Sequence, residues 1–291
     1  MKKVVVLFLL TVLTLSGNLH SQDLGNGLIG YYKLDNSGND NSIYSNNITF
    51  NGAIVPSKNR FNNVDSAIKL SNNSYMSITS SASLNFGVFW SVATWIKLDD
   101  ISQKVTIFDK YSSLATDALM HVLLQVNTSG FIELTLKTGS PSTTTITSSS
   151  SLSTGQWYHV VAAMDGSSAN LYLDGVNVAS KTDLSTFTSC NTNSLDIYLG
   201  YNHNIPGEYL KGYIDDTRLY SRALTQVEVE MLFSDNGWSS LKNGLVLHLP
   251  FNGNANDVSG NGYKGIINGN VSACDDRFGI TGKSYIFDYG H

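Results

Sequence analysis

Leu171-Tyr172-Leu173-Asp174-Gly175-Val176-Asn177-Val178 is the clearest β-hairpin in the chain. Apolar residues alternate on both sides of Asp174-Gly175, the period of a half-buried strand. Asp-Gly supplies the positive φ angles of a two-residue type I′ turn. Outward from this hairpin the same pattern recurs. Leu28–Leu34, Ala67–Leu70, Tyr75–Ile78, Trp90–Leu98, Val105–Lys110, His121–Val126, Phe131–Lys137, Trp157–Met164, Asp196–Leu199 and Lys211–Tyr220 are short and rich in β-branched or aromatic residues. Each is bounded by Gly, Asn, Asp or Ser, which is the signature of strands. The Ser/Thr-rich segment 138–154 reads as an exposed loop or a frayed edge strand.

One helix interrupts the pattern. Thr225 and Glu228 have capping-box spacing, and Leu224 and Val229 have that of a hydrophobic staple. Val227, Met231 and Leu232 are expected to face inward, and Asn236-Gly237 to end the helix. Many short strands, one short helix and no β-α alternation predict an all-β sandwich. The strands beginning near Gly27 and Lys211 are expected to be neighbours, because sandwich termini often lie close together.

The chain also repeats itself. At an offset of 217 positions Gly27-Leu28-Ile29 becomes Gly244-Leu245-Val246, Asn39-Asp40 becomes Asn256-Asp257, and Arg60-Phe61 becomes Arg277-Phe278. This predicts a domain over 22–235, a linker over 236–243 and an incomplete second copy over 244–291. A few opening strands cannot bury their apolar faces alone, so the sequence is expected to be a piece of a longer protein.

Lys2 and Lys3 precede the apolar run Val4–Leu15, with small and polar residues after it. Residues 1–21 therefore read as a secretory signal peptide, too short to span a membrane, on a protein that is secreted or held at the cell surface. Charged residues make up 14% of the chain and the net charge is −5. That balance argues against nucleic acid as a partner. Cys190 and Cys274 lie far apart and are expected to be separate thiols.

Four blocks together resemble the laminin-G-like, concanavalin A-like lectin/glucanase domains of secreted bacterial proteins. They are Gly27–Tyr32 with Asn39–Ser42, Phe89–Lys97 with Ile107–Lys110, Gly155–Ala162 with Leu171–Gly175, and Gly212–Leu224. The resemblance implies a jelly-roll sandwich of two antiparallel sheets that binds carbohydrate or an extracellular protein. The chain departs from the family at Leu70-Ser71-Asn72-Asn73-Ser74-Tyr75, which lacks the usual carboxylates.

Candidate site residues fall in two places. Asp40 lies in an oxygen-rich turn, and Asp215 lies on a strand face with Tyr213, Thr217 and Leu219. Hard oxygen donors in a flexible turn suit Ca²⁺, and the resemblance implies calcium, so both are candidate ligands of one structural ion. Alternatively Asp40 closes an Asx turn, and Asp215 pairs with an arginine such as Arg218 or Arg222. Tyr201, Asn202 and His203 combine an aromatic face with hydrogen-bonding groups and form a candidate carbohydrate contact. Trp95, Trp157, His121 and His159 are expected to be packed, and Trp90 and Trp238 to be freer. Catalysis finds little support, which leaves a glycoside hydrolase with a diverged site as the least favoured reading, behind a protein-adhesion or spacer domain. The Glu-x-Asp-x-x-Glu run of glucanases with this fold is missing, Glu133 stands alone on its strand, and Glu228 and Glu230 lie on the helix. There is also no nucleophile elbow, zinc-protease motif or phosphate loop.

Overall fold

The computed structural model describes residues 24–71, 73–85, 87–112, 120–137, 143–184, 194–234 and, beyond these, 246–247, 249, 251, 253–257, 262–275, 281–282 and 284–287. The expected signal peptide, Cys190, the helix stop at Asn236-Gly237 and Trp238 lie outside them. The chain divides into two compact units, Met1–Phe233 and Ser234–His291.

In the first unit the strands are β1 (Leu28–Tyr32), β2 (Thr49–Asn51), β3 (Val55–Ser57), β4 (Ala67–Leu70), β5 (Tyr75–Ile78), β6 (Phe89–Leu98), β7 (Val105–Lys110) and β8 (His121–Val126). They continue with β9 (Phe131–Lys137), β10 (Thr143–Ser151), β11 (Trp157–Asp165), β12 (Ala169–Leu173), β13 (Val176–Lys181), β14 (Ile197–Leu199) and β15 (Gly212–Tyr220). One sheet runs β13-β12-β11-β6-β15-β4-β3, and the other runs β10-β9-β8-β7-β14-β5-β2. All pairings are antiparallel. The expected all-β sandwich is therefore the fold. Asp174 and Gly175 have φ of 50° and 82°, with Leu173 opposite Val176, which is the expected hairpin turn.

β15 organises the first sheet. One edge pairs with β6 from Gly212↔Leu98 to Tyr220↔Ser91. The other edge is shared: β4 takes residues 212–214 and β1 takes 217–220. The amino-terminal and carboxy-terminal strands thus meet, as expected. The expected side-chain alternation along β15 does not hold. A bulge at Asp216, with φ of 49°, inserts one residue between Asp215 and Arg218. Bulges reset the alternation of faces. Ile214 and Leu219 therefore both enter the main core, although they lie five positions apart, an odd spacing that a regular strand would send to opposite faces.

The main core lies between the sheets, with Trp90, Ile96 and Leu98 meeting Phe108, Leu124 and Leu134. Trp90 is fully buried, so its expected freedom is corrected: its even spacing from Val92 and Ile96 puts it on the inner face of β6. A second cluster lies on the opposite face of the same sheet. There Ala93, Val161, Ala163, Tyr172 and Tyr220 pack with Leu224, Val229 and Leu232. The last two belong to α1 (Gln226–Ser234). Thr225 N donates to Glu228 Oε2 at 2.8 Å and Glu228 N to Thr225 Oγ1 at 3.3 Å, so the capping box forms. Val227 and Met231 are 52% and 38% exposed, which corrects the expected inward face. Leu232 is buried as expected, and it is joined by Glu228 and Val229. Arg222 holds Glu228 against the sheet through bonds of 2.8 and 2.7 Å, and this sets the rotation of the helix.

Two short strands, β2 and β3, were illegible to the hydrophobic pattern, whereas the Ser/Thr-rich segment forms the edge strand that was one of its two expected readings. β10 is an edge strand, with Ile146 and Ser148 buried and hydroxyls elsewhere. Such polar edges resist pairing with other chains. β2 and β3 have three residues each, and β3 contains Pro56, which an edge tolerates.

The second unit contains β16 (Val271–Cys274) and β17 (Ser284–Phe287). Cys274 carries a free thiol. β16 and β17 pair with Ser272↔Ile286 and Cys274↔Ser284. At the offset of 217 these pairs are Val55↔Lys69 and Ser57↔Ala67, the register of β3 and β4. The turns correspond as well. Ile48 N donates to Gly38 O at 2.7 Å and Gly265 N to Ala255 O at 2.8 Å. Asn46 N donates to Asp40 Oδ2, and Tyr263 N to Asp257 Oδ2.

Thr225→Ala removes the cap that starts α1, and caps of this kind contribute ~1 kcal/mol. Urea denaturation is expected to show a loss of about that size with an unchanged m value.

Candidate functional site

The face of the first sheet turned away from the main core is covered by α1 at one end only. At the other end alternate residues of three neighbouring strands emerge: Trp95 and Lys97 of β6, Trp157 and His159 of β11, Tyr213 and Asp215 of β15. The turn between β3 and β4 folds onto them. Arg60 Nη1 lies 2.9 Å from Asp215 Oδ2, and Nη2 lies 3.3 Å from Asp216 Oδ2. The guanidinium stands 4.4 Å from the ring centres of both Trp95 and Phe61. Arg218 pairs with Asp216 Oδ1 at 3.2 Å and stacks 4.5 Å from Tyr31. Phe233 stacks on Trp95 at 5.7 Å and on His159 at 6.3 Å, closing this cluster from the helix side.

The charges in the cluster are buried, with Arg60 and Asp215 side chains 8% and 4% exposed. Burial raises the Asp215 carboxyl well above its usual range, Asp216 and Asp35 push the same way, and Arg60 opposes them. Arg60 is thus the group that makes a carboxylate tolerable at this depth. Burial also lowers His159, to about 3, helped by Arg218 and Arg60. The expected packing of His121, His159 and Trp95 is what the structure contains.

Beside this cluster lies an open groove of ≈ 380 Å³. Trp157 and Tyr213 line it, with ring centres 6.1 Å apart and planes inclined at 57°. Both are only partly buried, which corrects the expected packing of Trp157. It lies at the end of β11, beyond the reach of α1. Lys97 Nζ is 3.9 Å from the Tyr213 ring centre and 5.4 Å from that of Trp157. Lys69 Nζ donates to the Tyr213 hydroxyl at 3.2 Å. Ser57, Lys58, Asn59 and Asn62 form the facing wall. Asn59 Oδ1 accepts from the backbone N–H of Phe61 and Asn63, which shapes that wall. Aromatic faces flanked by amides and ammonium groups suit a polyhydroxylated ring, whose C–H face stacks while its hydroxyls hydrogen-bond. Trp157 is plain in the sequence as an aromatic, but its exposure follows from where α1 ends.

Tyr201, Asn202 and His203 do come together, on the second sheet. Tyr201 stacks at 4.7 Å on both Tyr209 and Tyr75. His203 stacks on Tyr198 at 4.9 Å, and its N–H and Nδ1 lie 2.9 and 2.8 Å from Asp109 Oδ2. Asn202 is buried and donates to Glu208 Oε2 at 2.6 Å. It shapes the loop, and Tyr201 and His203 retain partial exposure.

Asp40 and Asp215 do not fit a shared calcium ion. Asp40 Oδ1 accepts from the N–H of Tyr31 and Ser42, and Oδ2 accepts from Ser42 Oγ and Asn46 N–H, all within 2.8–2.9 Å. These four donors fill the carboxylate's acceptor sites and make the alternative Asx turn. Asp215 already faces a cation, but Arg60 rather than the expected Arg218 or Arg222. Among the described residues no three or more His, Cys, Asp or Glu side chains are grouped to hold a metal.

This architecture is that of the concanavalin A-like lectin/glucanases superfamily, whose Laminin_G_3 model matches residues 70–230. The chain belongs to this family. Among solved structures it is similar to domain 4 of AbnA, a GH43 extracellular arabinanase from Geobacillus stearothermophilus, in complex with arabinotriose. The two share 24% identity with a TM-score of 0.57, over 71% of this chain and 98% of that one. It is also similar to the binding domain of Paraclostridial Mosquitocidal Protein 1, at 21% identity and TM-score 0.56, covering 76% of this chain and 54% of that one. The botulinum neurotoxin serotype G binding domain follows at 17% identity and TM-score 0.56, covering 73% and 51%. These similarities establish the fold. The chain spans about half the length of the toxin binding domains. No curated protein matches it in sequence.

Arg60→Leu leaves Asp215 buried beside Asp216 without its counter-ion, a change that costs about 3–5 kcal/mol. Denaturation at several pH values is expected to show the largest loss above the ordinary carboxylate range and partial recovery in acid, where Asp215 takes up a proton.

His159 works in the opposite pH direction. The unfolded chain protonates it below pH 6.5, whereas the folded chain resists until about 3. Its contribution is therefore intact above 6.5 and declines by ~1.4 kcal/mol per pH unit below. His159→Phe is expected to be less acid-sensitive than the native chain in paired denaturation curves.

Proposed function

We propose that the chain is an exported, non-catalytic carbohydrate-binding module. The observation that carries this reading is the groove of Trp157 and Tyr213, open on one side and walled by Ser57, Asn59 and Asn62. It has the aromatic platform and hydrogen-bonding rim that sugar recognition uses, and no carboxylate pair placed for glycoside hydrolysis lines it. The likeness to an arabinanase domain whose structure holds arabinotriose supports the ligand class. Export rests on the signal-peptide pattern of residues 1–21. No helix among the described residues is long and apolar enough to cross a membrane. Tyr201 and His203 form a second, smaller contact on the other sheet.

We further read residues 244–291 as the opening of a second domain of the same kind, so that binding sites occur in tandem in a longer protein. The shared register of β3-β4 and β16-β17 supports this. Tandem sites raise avidity without new contacts.

Affinity electrophoresis through gels containing arabinan, β-glucan or polygalacturonate tests the function. Trp157→Ala is expected to weaken retention at least ~10-fold, the loss typical of an anchoring aromatic. His203→Ala is expected to have a smaller effect. Native retardation by no polysaccharide would instead favour a protein-adhesion or spacer domain.

A further inference from the structure

The groove carries a charge opposite to that of the chain. Overall the net charge is −5, yet the groove lining contains Lys58, Arg60 and Lys97 and no carboxylate. Arg60 is committed to Asp215 and Asp216. Other lysines nearby are also neutralised: Lys69 pairs with Asp99 at 3.0 Å and Lys211 with Asp100 at 2.9 Å. Lys58 and Lys97 have no ion pair among the described residues. Lys97 is nevertheless held in place. Its ammonium sits over the negative face of Tyr213, 3.9 Å from the ring centre.

An ordered, unneutralised ammonium beside an aromatic wall is a pre-formed anion contact. It stands 5.4 Å from the Trp157 ring centre, where a group projecting from a sugar stacked on that ring would reach. A neutral glycan would leave both ammonium groups without a counter-charge. We propose that the groove takes an anionic polysaccharide, with a ring stacking on Trp157 while Lys97, held over the Tyr213 face, and Lys58 receive its acidic groups. This inference rests on the carbohydrate-binding reading and narrows its ligand class. Lysine is a point charge that accepts a uronate carboxylate or a sulfate ester alike, so the shared chemistry is the anionic sugar.

The test is titration of the full chain with polygalacturonate, dextran sulfate and neutral arabinan, each at low and at high sodium chloride. The native protein is expected to prefer one or both acidic polymers to arabinan and to lose that preference as salt screens the contact. Whichever acidic polymer binds identifies the anion. Lys97→Gln is expected to weaken acidic-polymer binding ~10-fold, as the loss of one charge-assisted contact does, and so to narrow the preference for acidic polymers over arabinan. Lys58→Gln is expected to act in the same sense. Equal affinity for arabinan, with Lys97→Gln silent, would overturn the inference and leave the carbohydrate reading standing. Acidic-polymer binding that survives Trp157→Ala, or is matched by duplex DNA, would also overturn it, because the contact would then be a general polyanion effect. Failure of the native protein to bind any of the three polymers would overturn both.

Discussion

The ion pair of Arg60 with Asp215 and Asp216 holds together everything that gives this domain a working face. It joins the turn between β3 and β4 to β15 of the larger sheet, 155 residues away in the chain. A buried pair of this kind contributes little net stability compared with apolar packing, because desolvating both charges is costly. Its value lies in specificity. The Asp216 bulge turns Asp215 away from the main core, and Trp95 and Phe61 give the guanidinium two aromatic faces. Only one placement of the 58–62 turn satisfies all of these contacts. That placement makes the wall of the groove.

The opposite end of the same sheet shows why the groove is where it is. α1 lies over Ala93, Val161, Ala163 and Tyr220, all residues with modest or flat outer surfaces. Phe233, near its end, reaches Trp95 and His159. Beyond this point, among the described residues, only the 57–62 turn lies against the sheet, and Trp157 and Tyr213 remain partly exposed. One capped helix therefore divides the outer face into a packed half and an open half.

The sheets were legible in the sequence because most strands follow the alternation of apolar residues, and Asp174-Gly175 marks its hairpin directly. The capping box of Thr225 and Glu228 was equally plain. What escaped has physical causes. The bulge at Asp216 breaks the period-two pattern: sequence spacing puts Asp215 on one face with Thr217 and Leu219, whereas the Thr217 hydroxyl lies 2.8 Å from that of Thr94 in the interior and Asp215 stands opposite Trp95 on the outer face. Arg60 could not be recognised as the partner of Asp215, because the contact depends on tertiary folding and Arg218 and Arg222 were nearer in sequence. Trp90 and Trp157 were misassigned because apolar strands look alike whichever face is covered. The repeat gave the one available signal for Arg60, since Arg60-Phe61 recurs as Arg277-Phe278. It was read as evidence of duplication rather than of a clamp.

The central claim is that sugar is held on the uncovered half of the larger sheet, against the wall that Arg60 fixes. Backbone amide chemical-shift mapping during titration with acidic oligosaccharides tests it residue by residue. The account predicts changes at 57–62, at Lys97, at 155–157 and at Tyr213, with Tyr198–Tyr209 disturbed weakly or not at all. Saturable changes confined to the Tyr198–Tyr209 region, with the Trp157 face silent, would contradict it.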